Sequence, residues 1–326
     1  MPLVSVLIAI YDPNINWLKK QLESINNQTY KNLEIIICDD CPYNYTDKNI
    51  FYEMLFNFKP KIIRNKKNLG STKTFEKLTK LSTGKYISYC DQDDIWKKNR
   101  LEELVFKLEK NSDALLIYSD AEIINKNDKI IYTSLADYHK GIIFYSGKNL
   151  YNKLLINNFV TGCMMLIRAN IAKKSLPFEE TMIHDHYLAL YASMCGEIIF
   201  LDKKLIYYRR HDKNQTGVLF DVKTKKDYYQ KRILLVQKRL LNLKARFGQD
   251  ENLLEPNFIK KNFITQINKL EYELSNRKIW WEKFDFRALK NLLANKNNNF
   301  LCSRFEILMA RIPDFLFKIA VNILRR

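Results

Sequence analysis

Residues Lys85 to Trp96 read KYISYCDQDDIW. Tyr86 to Tyr89 is a short β-type run, and it stops on three carboxylates, Asp91, Asp93 and Asp94. Carboxylates this close repel one another, so they are held by a cation, by helix N-termini or by water. A divalent cation is the sharp reading of the stretch and a solvated acidic turn the plain one. The rest of the chain decides between them.

Upstream, Val4 to Ile10 is a nearly continuous apolar run, as a parallel strand covered on both faces requires. Asp12, Pro13 and Asn14 break it, and Asn14 can cap a helix carrying Leu18, Leu22 and Ile25 at helical spacing. Leu33 to Cys38 is a second strand that also ends on acid, at Asp39 and Asp40. Thr46 and Asp47 can cap the next helix, with Phe51, Leu55 and Phe58 on one face, before a brief third strand from Lys61 to Arg64. Asn68-Leu69-Gly70-Ser71 then leads into a helix with Phe75, Leu78 and Leu81, closed by Gly84. Strands alternating with helices predict a doubly wound sheet with right-handed crossovers.

Such sheets bind ligands at the carboxyl ends of their strands. Here those ends carry Tyr11-Asp12, Asp39-Asp40 and Asp91 to Asp94, so acid from separate segments converges on one edge. Independent acidic turns explain that poorly, and a nucleotide or metal site explains it well. No GxGxxG follows the first strand and no GxxxxGK[ST] occurs, which argues against a dinucleotide enzyme or a P-loop NTPase. Asp40 is placed to accept from a base N–H, Tyr11 to pack on a base or ribose, and Lys73 to reach a phosphate.

Downstream, Leu101, Leu104, Val105 and Leu108 mark an amphipathic helix, Ala114 to Tyr118 a strand, and Glu122 to Tyr132 a hairpin around Asn127-Asp128. The second half of the sheet is therefore expected to be mixed. Leu150, Leu154 and Leu155 suggest a short helix and Gly162 to Ile167 a strand. His184-Asp185-His186 opens another helix, where free N–H groups stabilise a carboxylate; Asp185 reads as a functional acid or as a cap. His-x-His on a helix does not put both rings on one face, which argues against structural zinc. Ile198 to Leu201 and Leu205 to Tyr208 read as strands, the second running into Arg209-Arg210-His211-Asp212, with His211 either a metal ligand or a surface histidine.

With 326 residues and 47% hydrophobic content the chain can bury a full core. Six cysteines offer one CxxC, Cys38 and Cys41, but the intervening Asp39 and Asp40 oppose thiolate formation, and no second pair completes a zinc site. The N-terminal apolar run is too short to span a membrane, and no long apolar run follows. The formal charge is +18, and two thirds of the excess lies beyond residue 220, where 23 Lys and Arg face 11 Asp and Glu. That asymmetry points to a polyanionic surface, nucleic acid or an anionic membrane leaflet, or else to a lysine-rich codon bias. The same region turns helical, with stripes at 233–241, 258–274 and 304–324. The last, FEILMARIPDFLFKIAVNILRR, has the composition of an interfacial helix, or of a helix closing the core or a dimer seam, and Pro313 is expected to kink or divide it.

Together the segments VSVLIAIYDPN, QTYKNLEIIICDD, NLGSTKTF, YISYCDQDDIW, TGCMMLIRANI, HDHYLALYASMCGEI and YRRHDKNQTG resemble family 2 glycosyltransferases, inverting sugar transferases of the GT-A fold, from residue 3 to about 217. The DQDDIW form and the closing YRRHDKNQTG look most like bacterial rhamnosyltransferases of surface polysaccharide assembly. The resemblance implies a GT-A-like doubly wound mixed α/β sheet over residues 1–220, with a nucleotide-sugar half to about 96 and an acceptor half from 97, followed by a basic helical region, 221–326. It places Asp40 and Tyr11 at the nucleotide base, Asp91 at the ribose or metal, Asp93 on a Mg2+ or Mn2+ ion, His211 near the diphosphate and metal, and Asp185 as general base. Lys73 remains a phosphate candidate, because Thr74-Phe75 stand where many relatives carry Arg-Asn. The second strand ends CDDCP where DDGS is common, which changes the turn and keeps Asp40.

The implied activity is metal-dependent transfer of rhamnose from dTDP-rhamnose, or of a hexose from a UDP donor, to a glycan or lipid-linked glycan. The expected location is cytoplasmic, peripheral on the inner face of a bacterial plasma membrane, with anionic lipid or a second copy of the chain against the C-terminal helices. A basic nucleic-acid-binding module is the rival from another class. It has no need of Asp40, Asp93 and Asp185, and acid at the strand ends would repel phosphate.

Overall fold

The computed structural model describes residues 1–139, 142–212, 214, 221–249, 257–294 and 307–324. Lys213 and Gln215 to Gly217 of the closing motif, the 304–306 start of the last helical stretch, and Arg325 and Arg326 lie outside them. The chain forms two compact units, Met1–His211 and Asp212–Arg326.

In the first unit β1 (Val4–Ile10), β2 (Leu33–Asp39), β3 (Lys61–Arg64) and β4 (Tyr86–Cys90) pair in parallel in the order β3-β2-β1-β4. Parallel strands are covered on both faces, which is why β1, β2 and β4 read as unbroken apolar runs. Ile10 lies opposite Asp39 and Ile8 opposite Cys90, so the three acid-bearing exits finish at one edge. The crossovers are α1 (Ile15–Asn26), α2 (Lys48–Met54) and α3 (Ser71–Leu81). The Asn14 side chain caps α1 by accepting from the N–H groups of Asn16 and Trp17, and Asp47 caps α2 through Asn49 N–H.

Beyond β4 come β5 (Ile95–Trp96), α4 (Arg100–Glu109), β6 (Ala114–Ile124), β7 (Ile130–Tyr132), α5 (Leu135–Tyr138), α6 (Tyr151–Leu154), β8 (Met165–Arg168), α7 (Ala169–Lys174), α8 (His184–Cys195) and β9 (Glu197–Arg209). Antiparallel β8 carries the sheet from β4 to β6, and β9 pairs in parallel with β6. The expected mixed half is therefore present, in the order β4-β8-β6-β9-β5 with β7 on β6. Two expectations differ in detail. The two strands read at 198–208 are one, β9, because the exposed Asp202 and Lys203 that interrupt its apolar pattern fall where the β6–β9 register shifts. The strand read from Gly162 starts at Met165, and Gly162–Met164 form a single 3-10 turn.

Leu18, Leu22 and Ile25 of α1 and Leu101, Leu104 and Leu108 of α4 are buried in one cluster with Val6 and Ile8 of β1 and Ile35 and Ile37 of β2. From His184 to Met194, α8 is buried all round, so its sequence lacks a polar face.

The second unit is helical. α9 (Lys225–Tyr228) runs through a π-turn into α10 (Leu235–Gln249), followed by α11 (Asn257–Lys283), α12 (Phe286–Ala294) and α13 (Asp314–Leu324). Pro313 directly precedes α13, a position where its missing N–H costs little, so it divides the stretch. Phe317 and Val321 of α13 are buried against Val222, Tyr228 and Met309, whereas Phe315, Leu316, Ile319 and Ile323 are exposed. Among the described residues no helix is long and apolar enough to cross a membrane.

Candidate active site

The exits of β1 and β4 are joined by one side chain. Gln92 accepts from Tyr11 N–H at 2.8 Å and returns a bond to the Tyr11 carbonyl at 3.1 Å, which fixes the acidic turn against the end of β1. Tyr11 itself is 47% exposed and free of the core. Beside it, Asp40 is buried and accepts from Asn65 Nδ2 (2.7 Å), Leu69 N–H (2.9 Å) and Gly70 N–H (2.9 Å). Its carboxylate therefore shapes the loop before α3, where Gly70 sits at φ 79°, a left-handed angle that favours glycine. Three donors leave one lone pair on Asp40 for a ligand. Lys73 pairs with Glu76 at 3.3 Å and Glu180 at 3.1 Å, so reaching a phosphate requires it to leave those carboxylates.

The acidic turn is held from behind by Arg209, a fully buried arginine at the end of β9. Its Nε donates to the Asp93 carbonyl at 2.7 Å, its backbone N–H to Asp94 Oδ1 at 3.0 Å, and its Nη1 to Asp128 and to the Asn125 carbonyl of the β6–β7 turn. The same guanidinium lies 5.1 Å from the Trp17 ring centre, and the His211 ring lies 4.8 Å from Trp17. His211 Nε2 meets Asp93 Oδ2 at 2.6 Å, so the two residues read as metal ligands are adjacent.

A second convergence was not legible in the sequence. Asp91, Asp94 and Cys163 each offer a ligand atom, all within 4.8 Å of one another. Burial first, then repulsion from Asp93 and Asp185, pushes the Asp91 carboxyl up to about 7. Burial and the charges of Asp93 and Asp91 likewise push Asp94 upward. Among the described residues, and apart from the weak Cys163 thiol, buried Asp94 Oδ2 meets no donor. An orphaned carboxylate oxygen beside a second carboxyl fits a hard divalent cation. Burial raises the Cys163 thiol well above its usual range, which disfavours the thiolate that zinc would take. Fully buried Arg100 supplies one fixed positive charge nearby, donating to Ser88 Oγ (2.9 Å) and the Cys163 carbonyl (2.7 Å). At the CxxC, burial is the larger cause and Asp40 and Asp39 the smaller in raising Cys38 to about 11, so that thiol is also inert.

Asp185 lies in the first turn of α8, one residue past its start, so it is not the cap; that position belongs to Ile183. Oδ2 accepts from Gly162 N–H at 2.8 Å, and Oδ1 accepts from His186 N–H at 2.6 Å and Asn158 Nδ2 at 3.1 Å. Burial raises its carboxyl to about 6, and these donors limit the rise. The 3-10 turn is closed by the Met164 and Met165 N–H groups on the Thr161 and Gly162 carbonyls, which leaves the Gly162 N–H to donate to Asp185. The flanking histidines diverge as their spacing requires. His186 Nε2 meets the Leu154 carbonyl, and His184, held neutral by burial that lowers its pKa to about 3, packs against Phe75 (4.2 Å) and Tyr89 (5.2 Å).

Sequence reasoning thus named Tyr11, Asp40, Lys73, Asp91, Asp93, Asp185 and His211, and missed Gln92, Asn158, Gly162, Cys163 and Arg209. The one available signal was Arg209 at the end of an apolar strand, where a charge needs a buried partner.

The sequence model described as "Glycosyl transferase family 2" matches residues 5–176. A Methanocaldococcus jannaschii protein described as an uncharacterized glycosyltransferase is 33% identical over 183 residues, 56% of this chain and 61% of that protein. The Escherichia coli protein WfgD, a UDP-Glc:alpha-D-GlcNAc-diphosphoundecaprenol beta-1,3-glucosyltransferase, is 28% identical over 58% of this chain and 68% of its own length. The Shigella flexneri dTDP-rhamnosyl transferase RfbG is 25% identical over 64% and 73%. Among solved structures, S. aureus TarS in complex with UDP-GlcNAc superposes with a TM-score of 0.56 at 15% identity, covering 98% of this chain and 83% of that one, a likeness of fold.

A Cβ added at Gly162 would lie 2.7 Å from His184 Nε2 and 3.3 Å from Asp185 Cβ, and the packed His184 ring has little room to move. Gly162→Ala is therefore expected to break the Gly162 bond to Asp185 and lower turnover by up to about 100-fold. Steady-state kinetics beside a melting curve checks this, and unchanged turnover would remove Gly162 from the site.

Proposed function

The chain belongs to glycosyl transferase family 2, and on that premise we propose that it transfers a sugar, with inversion, from a nucleotide donor to a growing surface polysaccharide. The observation that carries the reading is the buried carboxylate of Asp185, raised to about 6 and oriented by three donors, on the acidic edge of the sheet. A base so tuned is ionised at neutral pH and still basic enough to take a proton from an attacking hydroxyl.

In this mechanism Tyr11 packs against the nucleotide base or ribose, Asp40 accepts from the base with its remaining lone pair, and Asp91 faces the ribose. Lys73 turns from Glu180 toward the diphosphate. The acceptor hydroxyl attacks the anomeric carbon from the face opposite the leaving group and gives its proton to Asp185, while the C–O bond to the nucleoside diphosphate breaks. One displacement of this kind inverts the centre, through an oxocarbenium-like transition state. Asp93 and His211, with Asp91 and Asp94 beside them, would hold a Mg2+ or Mn2+ ion, which when bound neutralises charge developing on the diphosphate.

For the donor, dTDP-rhamnose is the first reading, supported by the DQDDIW form and the likeness to RfbG; the likeness to WfgD supports UDP-glucose as the alternative. We place the protein on the inner face of the plasma membrane, where a lipid-linked acceptor lies. The supporting observations are the excess of 23 basic over 11 acidic residues beyond residue 220 and the exposed Phe315, Leu316, Ile319 and Ile323 of α13. The nucleic-acid reading is disfavoured by carboxylates at the strand exits, which repel a phosphate backbone.

Asp185→Asn should retain donor binding and lose about two or more orders of magnitude in turnover. In the native protein turnover should climb as pH rises through about 6, because the base works only after losing its proton. Turnover surviving in Asp185→Asn would reject the assignment. A thermal-shift screen of nucleotide sugars with and without Mn2+ names the donor, and Asp93→Ala should abolish the Mn2+-dependent part of the shift. Equal shifts with chelator and with Mn2+ would sink the metal role. Finally, the full chain should float with anionic vesicles and not with neutral ones, and Phe315→Asp combined with Ile319→Asp should reduce flotation; no binding to anionic vesicles rejects the attachment.

A further inference from the structure

Asn158 lies between α6 and the Gly162 turn, in a stretch whose sequence carries no motif. Its side-chain orientation is fixed by two bonds of opposite sense. Oδ1 accepts from Val160 N–H at 3.0 Å, so the amide nitrogen is the end that faces Asp185, donating to Oδ1 at 3.1 Å. Asp185 Oδ1 also accepts from His186 N–H, and with two donors both of its lone pairs in the carboxylate plane are engaged. Among the described residues the hydrogen bond that another residue gives Oδ2 is the one from Gly162 N–H, and Asp185's own N–H also lies against the carboxylate, so Oδ2 is the oxygen less engaged by its neighbours.

We infer that Asn158 is a positioning residue for the reaction: it blocks Oδ1, orients the carboxylate plane, and commits Asp185 to receive the acceptor proton on Oδ2. The inference rests on Asp185 being the base. The proton moves from the acceptor oxygen to Oδ2 as that oxygen bonds to the anomeric carbon, and Asn158 exchanges no proton. Other charged or titratable groups around Asp185 are Asp91 from the exit of β4, whose charge opposes a second one here, and His184 and His186 on its own helix. The side-chain hydrogen bond that favours the ionised form of Asp185 comes from Asn158.

Asn158→Asp separates positioning from structure. It is nearly isosteric and keeps an oxygen for Val160 N–H, so the loop retains its hook. Opposite Asp185 it presents an oxygen in place of the N–H, and whether the two carboxyls repel or share a proton, Asp185 ceases to be a free base. Asn158→Ala loses the hook as well. Full-length protein would be assayed with dTDP-rhamnose and UDP-glucose for kcat and donor KM, with melting curves, and the amide signals of Gly162 and His186 followed by NMR. Asn158→Asp is expected to lower kcat about tenfold or more, at least as much as Asn158→Ala, with donor KM within about twofold and both amide signals displaced. Wild-type turnover in Asn158→Asp, a loss that merely tracks a lower melting temperature, or unmoved amide signals would overturn the inference. Asp185→Asn in the same series tells the two failures apart. If it stays active the base assignment falls, and the amide signals still report whether Asn158 orients the carboxylate.

Discussion

Three carboxylates at the end of β4 must share a small, poorly solvated space, and much of the first unit is arranged so that they can. Asp94 is fully buried, and its neighbours Asp91 and Asp93 each push its proton affinity upward. Burying like charges together is costly unless fixed dipoles and cations surround them. Two fully buried arginines do this from separate elements. Arg100, at the start of α4, braces the Cys163 turn, and Arg209, at the end of β9, braces the backbone of Asp93 and Asp94. Removing either side chain would take the support from one of these turns.

That constraint links the two halves of the first unit. Gln92 ties the acidic turn to β1 in the parallel half, while Arg209 ties it to the β6–β7 turn in the mixed half. The Cys163 turn, held by Arg100, begins with the Gly162 N–H that orients Asp185. Hydrogen bonds and chain neighbours thus link the exit of β1 and the acidic turn, through the Cys163 turn, to Asp185 on α8. Shifts of a few tenths of an ångström at one end are expected to be felt at the other, because packed interiors transmit displacement rather than absorb it.

The acid groups divide by environment. Asp40, given three donors, serves as a structural anion that shapes the loop before α3. Asp185, buried with a similar number of donors, is raised to about 6 because burial outweighs them. Asp91 is raised by burial and by Asp93 and Asp185, and Asp94 by burial and by Asp93 and Asp91, an arrangement a bound cation relieves. One residue type thus fills three roles, and local structure decides which.

The sequence by itself determined the alternation of strands and helices, the parallel half of the sheet and the acid at its exits. Unbroken runs such as Val4–Ile10 and caps such as Asn14 are local signals, and local physics is written in neighbouring residues. The placement of the candidate residues Asp40, Asp93, Asp185 and His211 was legible for the same reason, each near the end of a strand or the start of a helix. The tertiary structure decided which groups meet. Asn158 reaches Asp185 across 27 residues, Gln92 reaches Tyr11 across 81, and Arg209 reaches Asp93 across 116. No periodicity encodes such pairs, because they depend on strand order and register: β8 passes between β4 and β6, and β9 runs beside β6 to the acidic turn. The charge of each group, unlike its identity, is set by how deeply the fold buries it and by which donors it finds there.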